Sequence, residues 1–391
     1  MKGLRFAAPL ALSVSLLVSG CSGAEKAAST NAAGVANQPA QQEQEMSVAD
    51  YAKASQELVE ELKKGNSGGT VDWEKAQKLY GDHLKEWVQR RDNESEGQVN
   101  EQLEAAMTAG KAGSLAPGVV AQLHEKLIQN IAFLSMRHDY KEASEQFEKK
   151  ESAGKEVKEA KEYYDRLLKA MVEKRDAAYG TQLATVIDGG FAEMAGAIEK
   201  GDNLSFNLGK QIVDKTLMKA FYFASGAEHG YGYKLEQLVK EGSKDDLKAA
   251  QAEGWAFFQA LKGYLVENDK EATEYIDQQF DLANDVKNVK GDLINQAFVR
   301  AFAATAKGEY KETLENWGTD KAVITALEGA LFIDVIHADL AKALGGEPQK
   351  KALLDNSHKL LDEVKAGNKE KAIALHKLVL ADLDKLSKYG K

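Results

Sequence analysis

QIVDKTLMKAFYF, residues 211–223, decides the fold, because faded copies of this block recur along the chain. QLHEKLIQNIAF at 122–133 matches it, and LINQAFVRAF at 293–302 matches it again, with RAF at 300–302 answering KAF at 219–221. Upstream of each copy stands a shorter echo: LEAAM at 103–107, IDGGF at 187–191 and IDQQF at 276–280. Further upstream come RRD at 90–92, KRD at 174–176 and END at 267–269. Three landmarks keep one order in three places, which defines a repeating unit of roughly 80 to 90 residues, longer than the common short solenoid repeats.

The block is a helix. Val213, Leu217, Ala220, Phe221 and Ala224 fall at i, i+4, i+7, i+8 and i+11, the spacing of one buried helical face. Leu167, Leu168, Met171 and Val172 repeat the pattern before Arg175. From residue 46 onward the chain is rich in Ala, Leu, Lys and Glu, strong helix formers. Pro117 and Pro348 each precede a periodic segment, as a first helical turn tolerates, and Gly and Asn punctuate 110–114, 201–203 and 367–368 as helix stops. The expected fold is therefore all-α, with about four degenerate three-helix units. In each unit helix A ends near the Arg-Asp pair, helix B carries the echo and helix C carries the block. The expected boundaries are 46–150 for a leading helix (about 47–64) and unit one, 151–241 for unit two, 242–320 for unit three and 321–391 for a degraded unit four. Packed bundles and a short curved array both satisfy this pattern.

The N-terminus reads differently. Residues 1–20 carry Lys2 and Arg5, an apolar run over 6–18 and small residues before Cys21, which is a signal peptide rather than a membrane span. VSGC at 18–21 resembles the lipobox of bacterial lipoproteins. That resemblance implies cleavage before Cys21, a diacylglyceryl thioether on its sulfur, further acylation such as palmitate, and an extracytoplasmic protein held on a membrane. Two or three acyl chains anchor firmly, whereas one does not. Residues 21–45 are rich in Ala, Gln, Asn and Ser without apolar period, a tether that spans about 25–30 Å as a random coil. Cys21 is the single cysteine, so no intrachain disulfide forms and stability rests on the core.

Net charge is -10, and losing Lys2 and Arg5 with the signal peptide takes it to about -12. That balance argues against nucleic acid and against broad adhesion to anionic lipid. No nucleophile elbow and no His-Glu-x-x-His motif is present, and no catalytic residue is assigned.

The candidate site residues are few. Gly81-Asp-His83-Leu-Lys-Glu86 offers an imidazole and a carboxylate three residues apart, one helical face for one cation. These six residues resemble the Gly-x-His-x-x-Glu signature of imelysin-like and periplasmic iron-uptake lipoproteins, which implies iron as the metal. His138 and His229, each read as following a helix C, form a second metal or haem pair. Gly226, Gly230, Tyr231, Gly232 and Tyr233 make a glycine-hinged aromatic loop that interrupts the repeat, a ligand or partner contact. The repeated Arg-Asp pairs are expected to form interhelical ion pairs, and the repeated block to be core. Two functions follow: a non-enzymatic, tethered scaffold that binds an envelope protein or polymer through the groove of its array, or an iron- or haem-binding lipoprotein for uptake or storage.

Overall fold

The computed structural model describes residues 46–242 and 247–391. The expected signal peptide, Cys21 and the tether at 21–45 lie outside the described residues, as does the expected start of unit three at 243–246. The described residues fold as one compact, all-helical unit. No strand occurs among them, and none of their helices is long and apolar enough to cross a membrane.

A leading helix α1 (Val48–Lys63) begins at Ser47, whose hydroxyl accepts from the Asp50 amide while Asp50 accepts from the Ser47 amide. This reciprocal box satisfies two backbone donors that a helix start leaves open. Unit one follows with α2 (Trp73–His83) and α3 (Lys85–Ser95) as a broken helix A, α4 (Val99–Lys111) as B and α5 (Pro117–Glu145) as C. Unit two has α6 (Lys150–Tyr163) and α7 (Lys169–Tyr179) as A, α8 (Leu183–Lys200) as B, α9 (Asn203–Ser225) as C, and an added α10 (Tyr231–Glu241). Unit three has α11 (Leu247–Val266), α12 (Lys270–Phe280) and α13 (Gly291–Glu315). Unit four has α14 (Asp320–Val335), a short α15 (Leu340–Leu344), α16 (Glu347–Lys365) and α17 (Lys369–Leu386).

Units one and two match beyond the landmarks. Ala76, Tyr80, Leu84, Val88 and Arg91 answer Ala160, Tyr164, Leu168, Val172 and Arg175, each partner lying 84 positions later and every one buried. Helix A is distorted at the same place in both. Leu84 (φ -119, ψ -33) separates α2 from α3, and Leu168 (φ -114, ψ -31) closes a one-turn π-helical widening, Tyr164–Leu168, between α6 and α7.

The Asp of the Arg-Asp pair does not pair across helices as expected. Asp92 accepts from the amides of Val99 (3.0 Å) and Asn100 (2.7 Å), and Asp176 accepts from those of Leu183 (2.6 Å) and Ala184 (3.0 Å). In each unit the carboxylate caps the next helix, where open N–H groups and the helix dipole favour negative charge. Arg91 meanwhile pairs with Glu94 on its own helix. Helix A of unit two ends on Gly180 in the left-handed region (φ 64), and helix A of unit one ends on Glu96 in the same conformation (φ 54). Glu96 is the non-glycine residue with positive φ among the described residues. A side chain strains that conformation, so Glu96→Gly should stabilise the protein by about 0.5–1 kcal/mol in urea unfolding, the entropy glycine adds to the unfolded chain offsetting the rest.

The three helix C copies meet through their aromatic residues. Phe133 lies 5.4 Å from Phe221, and Tyr222 lies 5.3 Å from Phe298 and 5.7 Å from Phe302, centroid to centroid. Each helix C packs against its own helix B and the next unit's helix A, and α5 also packs on α11 and α9 on α14. Unit one thus touches unit three, and unit two touches unit four. An open solenoid joins only neighbouring repeats; here units one and two also pack on units three and four, around one continuous core. At its centre α9 is buried all round from Val213 to Ser225.

Candidate functional site

The central helix carries charge where an all-round buried helix calls for apolar residues. Asp214, Lys215 and Lys219 are all buried within α9. Arg137 on α5 grips Asp214 with two parallel hydrogen bonds, from Nε at 2.7 Å and from a terminal nitrogen at 3.1 Å. Lys215 donates to Asp214 (3.0 Å) and to the Tyr264 hydroxyl on α11 (3.0 Å), and reaches Glu328 on α14 at 3.3 Å. Lys219 pairs with Asp334 at 2.9 Å. One cluster thus draws residues from all four units.

Aromatic faces hold the cations. The Arg137 guanidinium lies 4.2 Å from the Phe133 ring centre and 5.2 Å from that of Tyr264, while Lys215 lies 4.6 Å from Tyr264 and 5.0 Å from Phe332. Such contacts recover part of the hydration that buried cations lose. Burial works to raise the Asp214 pKa, but Arg137 and Lys215 outweigh it and hold the carboxyl well below the usual carboxylate range. Burial likewise opposes the charge on Lys215, and Asp214 outweighs it to raise that pKa. Burial and the neighbouring Glu328 push the Glu309 carboxyl up to about 8.

This cluster opens to a cleft. Arg137, Tyr140, Lys141 and Ser144, at i, i+3, i+4 and i+7 on α5, face Lys210, Gln211, Asp214 and Lys215 of α9 and Tyr264 of α11 around a cavity of about 490 Å3. A second cavity of about 460 Å3 shares Arg137 and Tyr264 as its wall, and is lined further by Leu134, Val99 and Ala260. The cleft lies where units one, two and three meet, so the packing of unit one on unit three creates it.

The residues singled out in the sequence lie elsewhere. His83 ends α2 and Glu86 opens α3 beyond the break at Leu84, so no single regular helix aligns them, and Glu86 takes Arg90 at 2.8 Å. His138 lies within α5 rather than after it, paired with Glu94 at 3.2 Å. His229 is exposed, its ring 5.2 Å from Tyr179. His138 and His229 each rest on the end of their own unit's helix A. Among the described residues no three His, Cys, Asp or Glu side chains are grouped to hold a metal ion.

The glycine-rich loop is also built for packing. A Cβ on Gly226 would stand 2.2 Å from the Phe298 ring, and one on Gly230 would stand 2.9 Å from backbone atoms. Tyr231 is buried beside Phe257 and donates to Glu253, and the Tyr233 hydroxyl donates to Asp292 at 2.8 Å. Gly232 opens α10 with ordinary contacts to Ile294. The loop turns its rings inward, and only Glu228 and His229 are left exposed between Gly226 and Tyr233.

Sequence reasoning passed over the cleft because its charges sit inside the block read as core. A signal was present. Glu125-Lys126 in the first copy stands where Asp214-Lys215 stands in the second, so an acid–base pair recurs within an apolar helix.

Another buried acid lies on α5 away from the cleft. Asp139 leaves an oxygen without a hydrogen-bond partner, and burial together with Glu159 and Glu156 pushes its carboxyl up to about 8, against the pull of Arg91. The folded protein therefore keeps a proton that the unfolded chain releases near pH 4, and Asp139 costs stability progressively as pH rises from about 4 to about 8. Asp139→Asn should match the parent near pH 4 and exceed it by roughly 1–2 kcal/mol at pH 8, the unpartnered amide offsetting part of the gain. Thermal unfolding at both pH values checks this.

No family model matches the sequence, and no curated protein and no solved structure matches it either.

Proposed function

We propose that this chain is a lipoprotein anchored through Cys21 on the extracytoplasmic face of a membrane, and that it acts there as a non-enzymatic binding protein. The anchor rests on the sequence of residues 1–21. One observation carries the binding reading: a cleft between α5, α9 and α11 whose floor is a buried charged cluster. Charges kept in a core are no aid to stability in themselves, since an apolar replacement of similar volume is often as stable or more so. Buried charge beside a cavity is instead a mark of a functional site. The donors expected for iron or haem are not gathered, so that reading is not carried further. An envelope protein or polymer remains a partner class for the outer face, with the cleft as the point of specific recognition.

The test uses the full chain purified from membranes in mild detergent. Mass spectrometry should find Cys21 acylated, and Cys21→Ala should move the protein into the soluble fraction. Native mass spectrometry should show a bound species that Ser144→Trp, which fills the cleft from α5, no longer carries. An unmodified Cys21 would contradict the anchor, and an identical bound complement in the parent and Ser144→Trp would contradict the cleft.

A further inference from the structure

We propose that the cleft binds a small organic oxyanion, a carboxylate or a phosphate monoester, received by Arg137, Lys210 and Tyr140. The inference rests on the cleft being the binding site and names what enters it.

Charge balance comes first. The lining brings four cations, Arg137, Lys141, Lys210 and Lys215, against two carboxylates, Glu145 and Asp214. Asp214 is shared between Arg137 and Lys215, Glu328 behind the lining lies 3.3 Å from Lys215, and Glu145 lies 3.9 Å from Lys141, so one cation remains in excess. Lys210 makes no ion pair among the described residues, one helical turn before Asp214 on the same face of α9. The surplus is positive in a chain whose net charge is -10, so it is a local construction.

Unused hydrogen-bond donors come second. Arg137 commits two of its three nitrogens to Asp214, and its remaining terminal nitrogen bonds to none of the described residues. Tyr140 is buried at 3% exposure, and its hydroxyl has no partner among them. Leaving a buried hydroxyl unpaired costs free energy, and a ligand oxygen that displaces the side chains covering it would recover that cost. A guanidinium, an ammonium and a phenol are three donors without a matching acceptor, which is the requirement of an oxyanion. Burial already pushes the Lys210 ammonium below its ordinary range, and an anion beside it would restore its charge.

The body of the ligand meets a mixed surface. Tyr140 and Tyr264 line the cleft, and the adjoining cavity past Arg137 sets Val99, Leu134, Ala260 and Val266 beside polar Gln98, Gln102, Asn130 and Gln259. Such a site discriminates by headgroup charge while it accepts an aromatic or short hydrocarbon body.

Calorimetric titration of the full-length protein in detergent with phenyl phosphate, benzoate, benzyl alcohol and benzylamine tests this directly. The two anions should bind, the tighter of them identifying the headgroup, and the alcohol and amine should not. Lys210→Met should raise the Kd of the better anion about tenfold, the scale of one charge-assisted hydrogen bond. Tyr140→Phe should weaken it several-fold and, by removing an unpartnered hydroxyl, leave the unliganded protein at least as stable. Failure of both anions to bind, equal binding of the neutral alcohol, or anion binding unchanged in both variants would overturn the assignment. If the alcohol binds and Ser144→Trp abolishes that binding, the cleft stands as the site and only its oxyanion chemistry falls.

Discussion

Asp214→Ala should destabilise the protein by about 3–5 kcal/mol, the cost of leaving buried charge without its partner. Asp214 is the one carboxylate that both Arg137 and Lys215 contact, so its loss strands Arg137 in the floor of the cleft and leaves Lys215 with only Glu328 and the Tyr264 hydroxyl. Lys215 is 2% exposed and cannot swing into water without opening the packing of α9 against α11 and α14. Chemical denaturation should show the loss with an unchanged denaturant slope, because the folded state keeps its compactness. A loss below about 1 kcal/mol, the scale of surface pairs, would mean that the cluster is solvated in solution.

Gly226→Ala should cost about 3 kcal/mol, at the upper end of the range for overpacking a core. The added methyl would meet the Phe298 ring at 2.2 Å. Phe298 cannot retreat, since Tyr222, Phe258 and Phe302 surround it at centroid distances of 5.3, 5.8 and 6.3 Å. Gly226 has a negative φ of -114, so the demand is for space rather than for backbone freedom. Gly232→Ala is the matched control. Its methyl would find Ile294 at 3.4 Å, an ordinary contact, and it replaces glycine inside α10. Its change should stay within about 1 kcal/mol, with helix propensity in its favour. A loop built for a ligand would show the opposite pattern, with both variants stable and binding impaired.

The order of helices was legible because it is written in local patterns. Pro117 and Pro348 open α5 and α16, and Gly201 and Gly367 close α8 and α16. The repeated block marked each helix C, and α9 is indeed the buried centre. The Arg-Asp landmark was legible as a repeat but not in its role. Two residues side by side on one helix do not reveal that the second reaches seven and eight positions ahead to cap the next.

The packing of unit one on unit three and of unit two on unit four was not legible, since contacts of α5 with α11 and of α9 with α14 join segments about a hundred residues or more apart. Periodicity reports which face of a helix is buried, not which partner covers it. The break at Leu84 escaped notice for a related reason: its residues keep the helical period, and only the backbone angles differ.

The candidate site was hidden by the same logic that found the fold. Persistence of a block under repetition means packing for Phe133, Phe221 and Phe302. Lys210, Asp214 and Lys215 share that helix without serving the same end. Histidines and glycines, more conspicuous in a sequence, drew attention to helix ends where the structure shows local pairing and tight packing.

On the proposed reading, the buried charges of the cleft are retained for binding rather than for stability. The combined replacement Arg137→Met, Asp214→Leu, Lys215→Met and Glu328→Gln, which leaves no member of the cluster as an unpartnered charge, tests this through unfolding and through binding of phenyl phosphate and benzoate. The expected result is a protein as stable as the parent, or more so, that binds neither anion. A variant that fails to fold, or that folds and still binds either anion with parental affinity, would contradict the claim.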